Sequence, residues 1–166
     1  MALYGFVYFM TMMTSGGKRG KIFTKEFMEQ FNEEHQKVFG TDAPVGGHPD
    51  DGNGYYSAKL TYAQWYDFNN AQRAHLNFLE TAIPVAAMVL ICAINQPLLA
   101  LICMIGLVLG RIMYAIGYRM SGPQGRIAGA LIVDVALLAA FVGAIMSLVQ
   151  WDMTSVEPRM FPMSAK

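Results

Sequence analysis

Charged side chains make up 14% of this 166-residue chain, against roughly 25% in a soluble domain, while hydrophobic residues make up 54%. This balance excludes an ordinary soluble domain and a disordered chain, and 12 basic against 12 acidic residues leave no positive field for a nucleic acid. Both cysteines, Cys92 and Cys103, lie in apolar runs, so neither a disulfide framework nor a cysteine-based zinc site is expected. No metal cofactor is expected either.

The first segment of the chain, residues 2–14, is apolar and aromatic and is followed by Ser15-Gly16-Gly17-Lys18-Arg19. Sixteen helical residues span about 24 Å, which is short of the roughly 30 Å bilayer core. A cleaved signal peptide is the alternative, but no basic segment precedes the apolar stretch. We therefore expect a short first transmembrane helix near residues 2–17, with local thinning of the bilayer or neighbouring protein covering the shortfall.

The long first loop, residues 18–67, is polar and carries its own pattern. Phe23, Phe27, Phe31 and Val38 recur at helical spacing between charged residues, which predicts an amphipathic helix. Two interpretations are equally open: the helix lies on the membrane or a partner, or it packs on the protein's own loop.

Two further features of this loop have simple explanations. The run Asp50-Asp51-Gly52-Asn53-Gly54 lacks the spacing of a calcium-binding EF-hand loop, so it is predicted to be a turn. The aromatic residues before the second helix are typical of a membrane-interface belt; they are Tyr55, Tyr56, Tyr62, Trp65, Tyr66 and Phe68.

Three more transmembrane helices are predicted, near residues 70–94, 97–118 and 126–150. Residues 83–118 contain one charged side chain, Arg111, and residues 128–150 contain one, Asp134. The first of these runs is too long for a single crossing, and Asn95-Gln96-Pro97 breaks it, because proline disfavours helix before it. The expected fold is therefore an all-α membrane protein, a bundle of four transmembrane helices in one domain, residues 1–166, with a polar tail at 151–166.

The basic residues predict the orientation of this bundle. Four helices place the first and third connections on one side, where six basic residues cluster: Lys18, Arg19, Lys21, Lys25, Arg119 and Arg126. The opposite side has only Arg159 and Lys166, both in the tail. The positive-inside rule therefore puts the long loop on the cytoplasmic or matrix side.

Two polar stripes on the membrane helices carry the candidate chemistry. Arg73, Asn77 and Glu80 share one face of the second predicted helix. Arg111, Tyr114 and Tyr118 share one face of the third. Ionisable groups at membrane depth usually face protein or a wet cavity, so the stripes predict one buried site suited to a small zwitterion. An Arg–Glu network that joins helices is the structural alternative. His75 lies off this face and is interpreted as a packing or interfacial residue.

These residues resemble the MAPEG family, the membrane-associated proteins in eicosanoid and glutathione metabolism. Residues 68–80 are similar to its Arg-x-x-x-Asn-x-x-Glu signature, at Arg73, Asn77 and Glu80. Residues 110–118, followed by Gly122-Pro123 and Arg126, are similar to its third-helix motif. The resemblance is convincing over about residues 68–131.

The resemblance implies a homotrimer that binds glutathione between subunits and acts as a transferase or peroxidase. It assigns glutathione binding to six residues: Arg73, Asn77, Glu80, Arg111, Tyr114 and Tyr118. It makes Arg126 the cation that stabilises the glutathione thiolate, and a nearby cation does lower a thiol pKa. An interfacial membrane anchor is the simpler role for Arg126. The apolar co-substrate is expected to come from the bilayer, along a groove on the outer face of the third helix at residues 98–109.

Several features depart from this family pattern. The first helix is short and the first loop is long, and Lys18, Arg19 and Lys21 are the candidates for the family's basic residues near the first helix. Asp134 is not explained by the motif; it is expected to pack between helices rather than to line a cavity. These departures favour a second hypothesis, a non-catalytic subunit of a large membrane complex such as the respiratory chain or ATP synthase. Both the endoplasmic reticulum and the mitochondrial inner membrane are open as locations.

Overall fold

The computed structural model describes residues 1–150, and the regular secondary structure of these residues is all helical. The predicted tail at residues 151–166 lies outside the described residues. In chain order the helices are α1 (Ala2–Ile22), α2 (Lys25–Met28), α3 (Asn32–Phe39), α4 (Tyr62–Asn95), α5 (Pro97–Gly125) and α6 (Ile127–Val149). The all-α prediction is confirmed: α1, α4, α5 and α6 pack together as a four-helix bundle.

Three helices of the described chain, α4, α5 and α6, are long and apolar enough to cross a membrane. The chain is therefore a multi-pass integral membrane protein. The predicted break between the second and third helices is confirmed, because α4 ends at Asn95 and α5 begins at Pro97. Proline is well suited to the first helical position, where its missing N–H would have no partner anyway.

The helix α4 begins eight residues before the predicted start, at Tyr62 rather than near residue 70. The cause is a capping box: the Thr61 side chain accepts from the Gln64 backbone N–H, and the Gln64 side chain accepts from the Thr61 N–H. This arrangement satisfies donors that would otherwise be unpaired at a helix start. With 34 residues, α4 is about 51 Å long, so it extends well beyond the roughly 30 Å bilayer core.

The first helix is longer than predicted but is not one of the three membrane-crossing helices. It continues to Ile22 rather than residue 17, because Ser15, Gly16 and Gly17 do not interrupt it. It packs along the first part of α4: Tyr4 contacts Phe78, and the Ser15 hydroxyl donates to the side-chain oxygen (Oε1) of Gln72. The 17 residues of α4 after Phe78, about 26 Å of helix, extend past the level of Tyr4.

The single amphipathic helix predicted in the first loop is wrong in its extent. The segment is divided into α2, a 3₁₀ turn over Glu29–Phe31, and α3, which is followed by Gly40 in the left-handed conformation (φ 71°). Its aromatic face packs on the protein itself, since Phe23 and Phe31 are buried in a small core with Phe68. The second interpretation of the loop is therefore confirmed for these residues, while Val38 is 72% exposed.

The turn predicted at residues 50–54 is confirmed and is organised by the buried Asp50 carboxylate. This carboxylate accepts from the backbone N–H groups of Gly52 (2.7 Å), Gly54 (3.0 Å) and Ser57 (2.7 Å), and from the Ser57 hydroxyl (2.8 Å). Burial raises the pKa of the Asp50 carboxyl, but the hydrogen bonds, led by that of the Ser57 N–H, outweigh it and hold the pKa below its ordinary value.

The joint between α5 and α6 is a sharp turn made possible by glycines. The predicted end of the third helix near residue 118 is too early: helical turns continue to Gly125, with a kink at Gly122 (φ 63°). The backbones of Gly117 and Gly125 are so close that a Cβ on Gly117 would lie 2.0 Å from the Gly125 carbonyl oxygen. Farther along, a Cβ on Gly129 would lie 2.3 Å from the Tyr114 nitrogen, so α5 and α6 are in direct backbone contact.

Candidate functional site

A cavity of about 330 Å³ opens between α4, α5 and α6. Its polar walls come from all three helices and from the joint that follows α5. The lining residues that bear polar side chains are Asn77, Thr81, Arg111, Tyr114, Arg126 and Asp134. The remaining lining is aliphatic, so the few polar groups fix what the cavity can bind.

The most buried polar group of this site is Arg111, which is 2% exposed. One guanidinium nitrogen donates to the Asn77 side-chain oxygen at 2.8 Å, and another donates to the Thr81 hydroxyl. The guanidinium also lies 4.8 Å from the centre of the Phe78 ring, a favourable cation–π contact. All of these partners are neutral, so Arg111 keeps an uncompensated positive charge beside the cavity.

Thr81 was not singled out from the sequence, although it is needed to hold Arg111. Its hydroxyl donates back to the Asn77 carbonyl at 3.0 Å and accepts from Arg111. The signal was present: Thr81 follows Asn77 by four residues on α4, so both lie on one helix face.

Two buried polar atoms near this cluster have no hydrogen-bond partner among the described residues. They are the Tyr4 hydroxyl and Nε of Arg111. The Tyr4 ring packs edge-on against Phe78 with 4.7 Å between ring centres, and Phe78 is the ring below Arg111. Helix α1 therefore places the Tyr4 hydroxyl close to the side chains that hold Arg111 beside the cavity.

Arg126, the residue before α6, lies over the two tyrosines of α5. One of its guanidinium nitrogens donates to the Tyr114 hydroxyl at 3.0 Å. The guanidinium is 5.3 Å from the Tyr118 ring centre and 5.8 Å from that of Tyr114. The backbone contact between Gly129 and Tyr114 sets this spacing, because a side chain at position 129 would push the two helices apart.

The chain belongs to the MAPEG family. The family model matches residues 1–146. No curated protein and no solved structure matches the chain. Members of this family are typically glutathione transferases or peroxidases. Family membership therefore indicates glutathione-related enzyme chemistry in the membrane.

The three residues of the Arg-x-x-x-Asn-x-x-Glu signature do not all line the cavity of one subunit. Asn77 lines the cavity, but Arg73 and Glu80 do not. Their side chains are about half exposed and face each other on α4, with 3.9 Å between the guanidinium and carboxylate. Within one subunit they therefore pair with each other and do not line the cavity with Arg111; the site that they were expected to share between subunits stays a prediction.

Asp134 is also placed differently from its prediction. It was expected to pack between helices, but its side chain is exposed, lines the cavity and makes no ion pair or hydrogen bond within the described part of the chain. The alternative of a cavity-lining residue is the correct one. The helical spacing explains this, because Ala130, Leu131 and Leu137 on the same face of α6 also line the cavity.

A second concavity of about 300 Å³ lies between α1, α4 and α5. It is mostly aliphatic and aromatic, and Lys18, Asp67 and Arg119 mark its polar end. Along α5 it is lined by Ile112, Ala115, Ile116, Tyr118 and Arg119, so it lies beyond the predicted groove at residues 98–109. The ring of Tyr118 connects this second concavity with the cavity, since it lines the second concavity and contacts Arg126.

Two of the three basic residues near the end of α1, Lys18 and Arg19, have structural partners in the subunit, and Lys21 is exposed. Lys18 is paired with Asp67, and Arg19 donates to the Asp51 carboxylate at 2.8 Å and to the Gly46 carbonyl. His75 is a packing residue, as one of the two interpretations predicted, with a 3.2 Å hydrogen bond to Thr11 of α1. These contacts attach α1 and the loop to α4, away from the cavity.

Proposed function

We propose that this MAPEG protein is a glutathione-dependent transferase or peroxidase that acts on apolar electrophiles or lipid hydroperoxides. We further propose that it resembles microsomal glutathione transferase type three within this family. The observation that carries the proposal is Arg126, held against Tyr114 and Tyr118 beside a cavity that also contains the buried cation Arg111.

The chemistry follows from these charges. Arg111 attracts a carboxylate of glutathione, and Asn77 holds the Arg111 guanidinium in place. Arg126 stabilises the thiolate, which is the nucleophilic form of a thiol. In a transfer reaction the thiolate sulfur forms a bond to the electrophilic carbon, and the electron pair of the broken bond leaves on the departing atom. In a peroxidase reaction two glutathione thiols become one disulfide, while the hydroperoxide becomes an alcohol and water.

The second concavity, an apolar groove between α1, α4 and α5, gives an apolar co-substrate a route to this thiolate. Its walls are apolar, as the bilayer interior is, and its end at Tyr118 adjoins the Arg126 guanidinium. An apolar electrophile in the groove therefore comes close to the polar cavity without crossing water.

A homotrimer accounts for the charged groups that a single subunit leaves uncovered. Arg73 and Glu80 are about half exposed on α4, and ionisable groups at membrane depth are expensive unless protein or a wet cavity faces them. A neighbouring subunit placed against this face of α4 supplies such surroundings and brings Arg73 and Glu80 into an intersubunit glutathione site.

The test is a conjugation and peroxidase assay on the purified protein, with glutathione affinity measured separately. Arg126→Ala should lower turnover roughly 10²–10³-fold and change affinity little, while Arg126→Lys restores part of the rate. Arg73→Ala should instead weaken glutathione binding. The glutathione carboxylate that Arg73 is proposed to bind is present in the ground and transition states alike. Lys59→Ala, which removes an exposed cation of the loop, is the control. Full turnover in Arg126→Ala would show that the catalytic assignment is wrong.

The second candidate is an accessory subunit of a larger membrane complex. The observation that favours it is a set of large apolar side chains exposed on the folded loop outside the membrane helices: Val38, Phe39, Val45 and Tyr55. Such residues mark contact surfaces when they occur together. A wild-type protein without turnover that co-purifies with unrelated chains in fixed stoichiometry would favour this function over the enzyme.

A further inference from the structure

We infer that Asp134 is the residue that binds the ammonium group of the thiol substrate and so selects an amino-bearing thiol. This inference rests on the proposed function, and it assigns a specificity role to a residue outside the family signature. Asp134 is the acidic residue that lines the cavity, and two cations, Arg111 and Arg126, line the same cavity.

The position of Asp134 argues against a purely structural role. It lies seven residues after the first residue of α6, about 10 Å along the helix axis. Its neighbours on the cavity-facing stripe are apolar, namely Ala130, Leu131, Val133 and Leu137. A carboxylate in such surroundings is costly unless it has a polar partner, and the described residues provide none. A ligand cation is the partner that fits.

The charges of the cavity complement the groups that the proposed function places there. Glutathione brings one carboxylate to Arg111, its thiolate to Arg126 and one ammonium group. The cavity presents two positive groups and one negative group. Since Arg111 and Arg126 donate to neutral oxygens, neither cation neutralises Asp134 directly, and all three charges remain available to a ligand.

Glu80 is the competing candidate for the ammonium group. Its carboxylate lies 3.9 Å from the Arg73 guanidinium, and it does not line the cavity. A carboxylate already paired with a cation attracts a second cation less strongly than an unpaired one. The geometry therefore favours Asp134 over Glu80.

The experiment compares two ligands that differ only in the ammonium group: glutathione and its des-amino analogue, glutaryl-cysteinylglycine. Dissociation constants are measured by calorimetry on the purified full chain. Wild type should bind glutathione roughly tenfold to a hundredfold more tightly, the range for a hydrogen bond to a charged group. Asp134→Asn should bring the ratio close to one by weakening glutathione alone, and Asp134→Glu should restore part of it. Unchanged affinity for the analogue shows that Asp134→Asn is folded.

The possible outcomes separate the inference from the proposed function. If wild type binds neither thiol, both fail. If wild type binds both ligands equally, or if Asp134→Asn keeps the full preference for glutathione, the inference is wrong and the proposed function stands. Loss of the preference in Glu80→Gln, with the preference kept in Asp134→Asn, would assign the ammonium group to Glu80 instead.

Discussion

The guanidinium of Arg111 shows how a buried charge is held by neutral groups. Its hydrogen bonds to Asn77 and Thr81 and its contact with the Phe78 ring replace the water that it loses on burial. A carboxylate partner in the protein would have neutralised the charge. Because the partners are an amide, a hydroxyl and a ring, the positive charge remains available to an anionic ligand.

The two hydroxyls near Arg111 should respond differently to removal. Thr81→Val removes an acceptor of a charged donor and should lower the free energy of unfolding by about 1.5–3 kcal/mol. Tyr4→Phe removes a hydroxyl that lies close to Arg111 and Thr81 but makes no well-aligned hydrogen bond among the described residues, so it should cost less than Thr81→Val. Thermal unfolding in detergent measures both. A larger loss in Tyr4→Phe than in Thr81→Val would contradict this account of the Arg111 cluster.

Asp50 should make the loop sensitive to acid. Because its pKa is lower in the folded loop than in the unfolded chain, its contribution to stability is full above the unfolded value of about 3.9 and is lost as the pH falls through the lower, folded pKa. Hydrogen exchange of the amides of Gly52, Gly54 and Ser57 should therefore accelerate on acidification below about pH 4, after correction for the intrinsic pH dependence of exchange.

The matched variants for Asp50 are Asp50→Asn and Glu29→Gln. Asp50→Asn should open the loop at neutral pH, at a cost of roughly 2 kcal/mol, because the hydrogen bonds lose their charged acceptor. Glu29 is exposed, so Glu29→Gln should behave as wild type. Equal protection of the loop amides in Asp50→Asn and wild type would exclude this role of the carboxylate.

At the scale of the elements, the contact between α5 and α6 positions Arg126. A methyl group on Gly129 would lie 2.3 Å from the Tyr114 nitrogen and 2.7 Å from the Gly110 carbonyl oxygen. Both obstacles are backbone atoms, which cannot rotate away. The helices must therefore separate to admit any side chain, and the Arg126 guanidinium would move away from the Tyr114 hydroxyl.

Gly129→Ala should accordingly lower the free energy of unfolding by about 1–3 kcal/mol and reduce turnover with it. Gly16→Ala on α1 is the control, since nothing lies within 4 Å of the added methyl group. It should be neutral or stabilise α1 by up to about 1 kcal/mol, because alanine loses less conformational entropy in a helix than glycine. Unfolding and turnover measured on both variants test the contact; similar values for the two would contradict it.

For the whole molecule, the three apolar helices place the long loop and the α5–α6 joint on one side of the membrane. The connection at Gln96 and the end of α6 lie on the other. A membrane-impermeant thiol reagent should therefore label Lys37→Cys and Gln150→Cys from opposite sides in sealed vesicles. The native cysteines are buried and should give little background. Labelling of both variants from the same side would overturn the topology.

The helices and their order could be predicted because the signals are local. A run of apolar residues must form a helix in lipid, where each backbone polar group needs an internal partner. Pro97 ends the preceding helix by its own local geometry, independently of the tertiary structure. The pairing of Arg73 with Glu80 is equally local, since both lie on one face of α4. The helix ends were less accurate: the Thr61–Gln64 capping box and the glycine-rich end of α5 moved two of them by about seven to eight residues.

The composition of the cavity could not be predicted from spacing alone. Spacing places side chains on a face of their own helix, but the rotation of each helix about its axis decides which faces meet. That rotation is set by the backbone contact of Gly129 with Tyr114 and by the packing of Tyr4 on Phe78, between residues far apart in the chain. These contacts direct Asn77 and Asp134 into the cavity and leave Arg73 and Glu80 on the outer surface of the subunit.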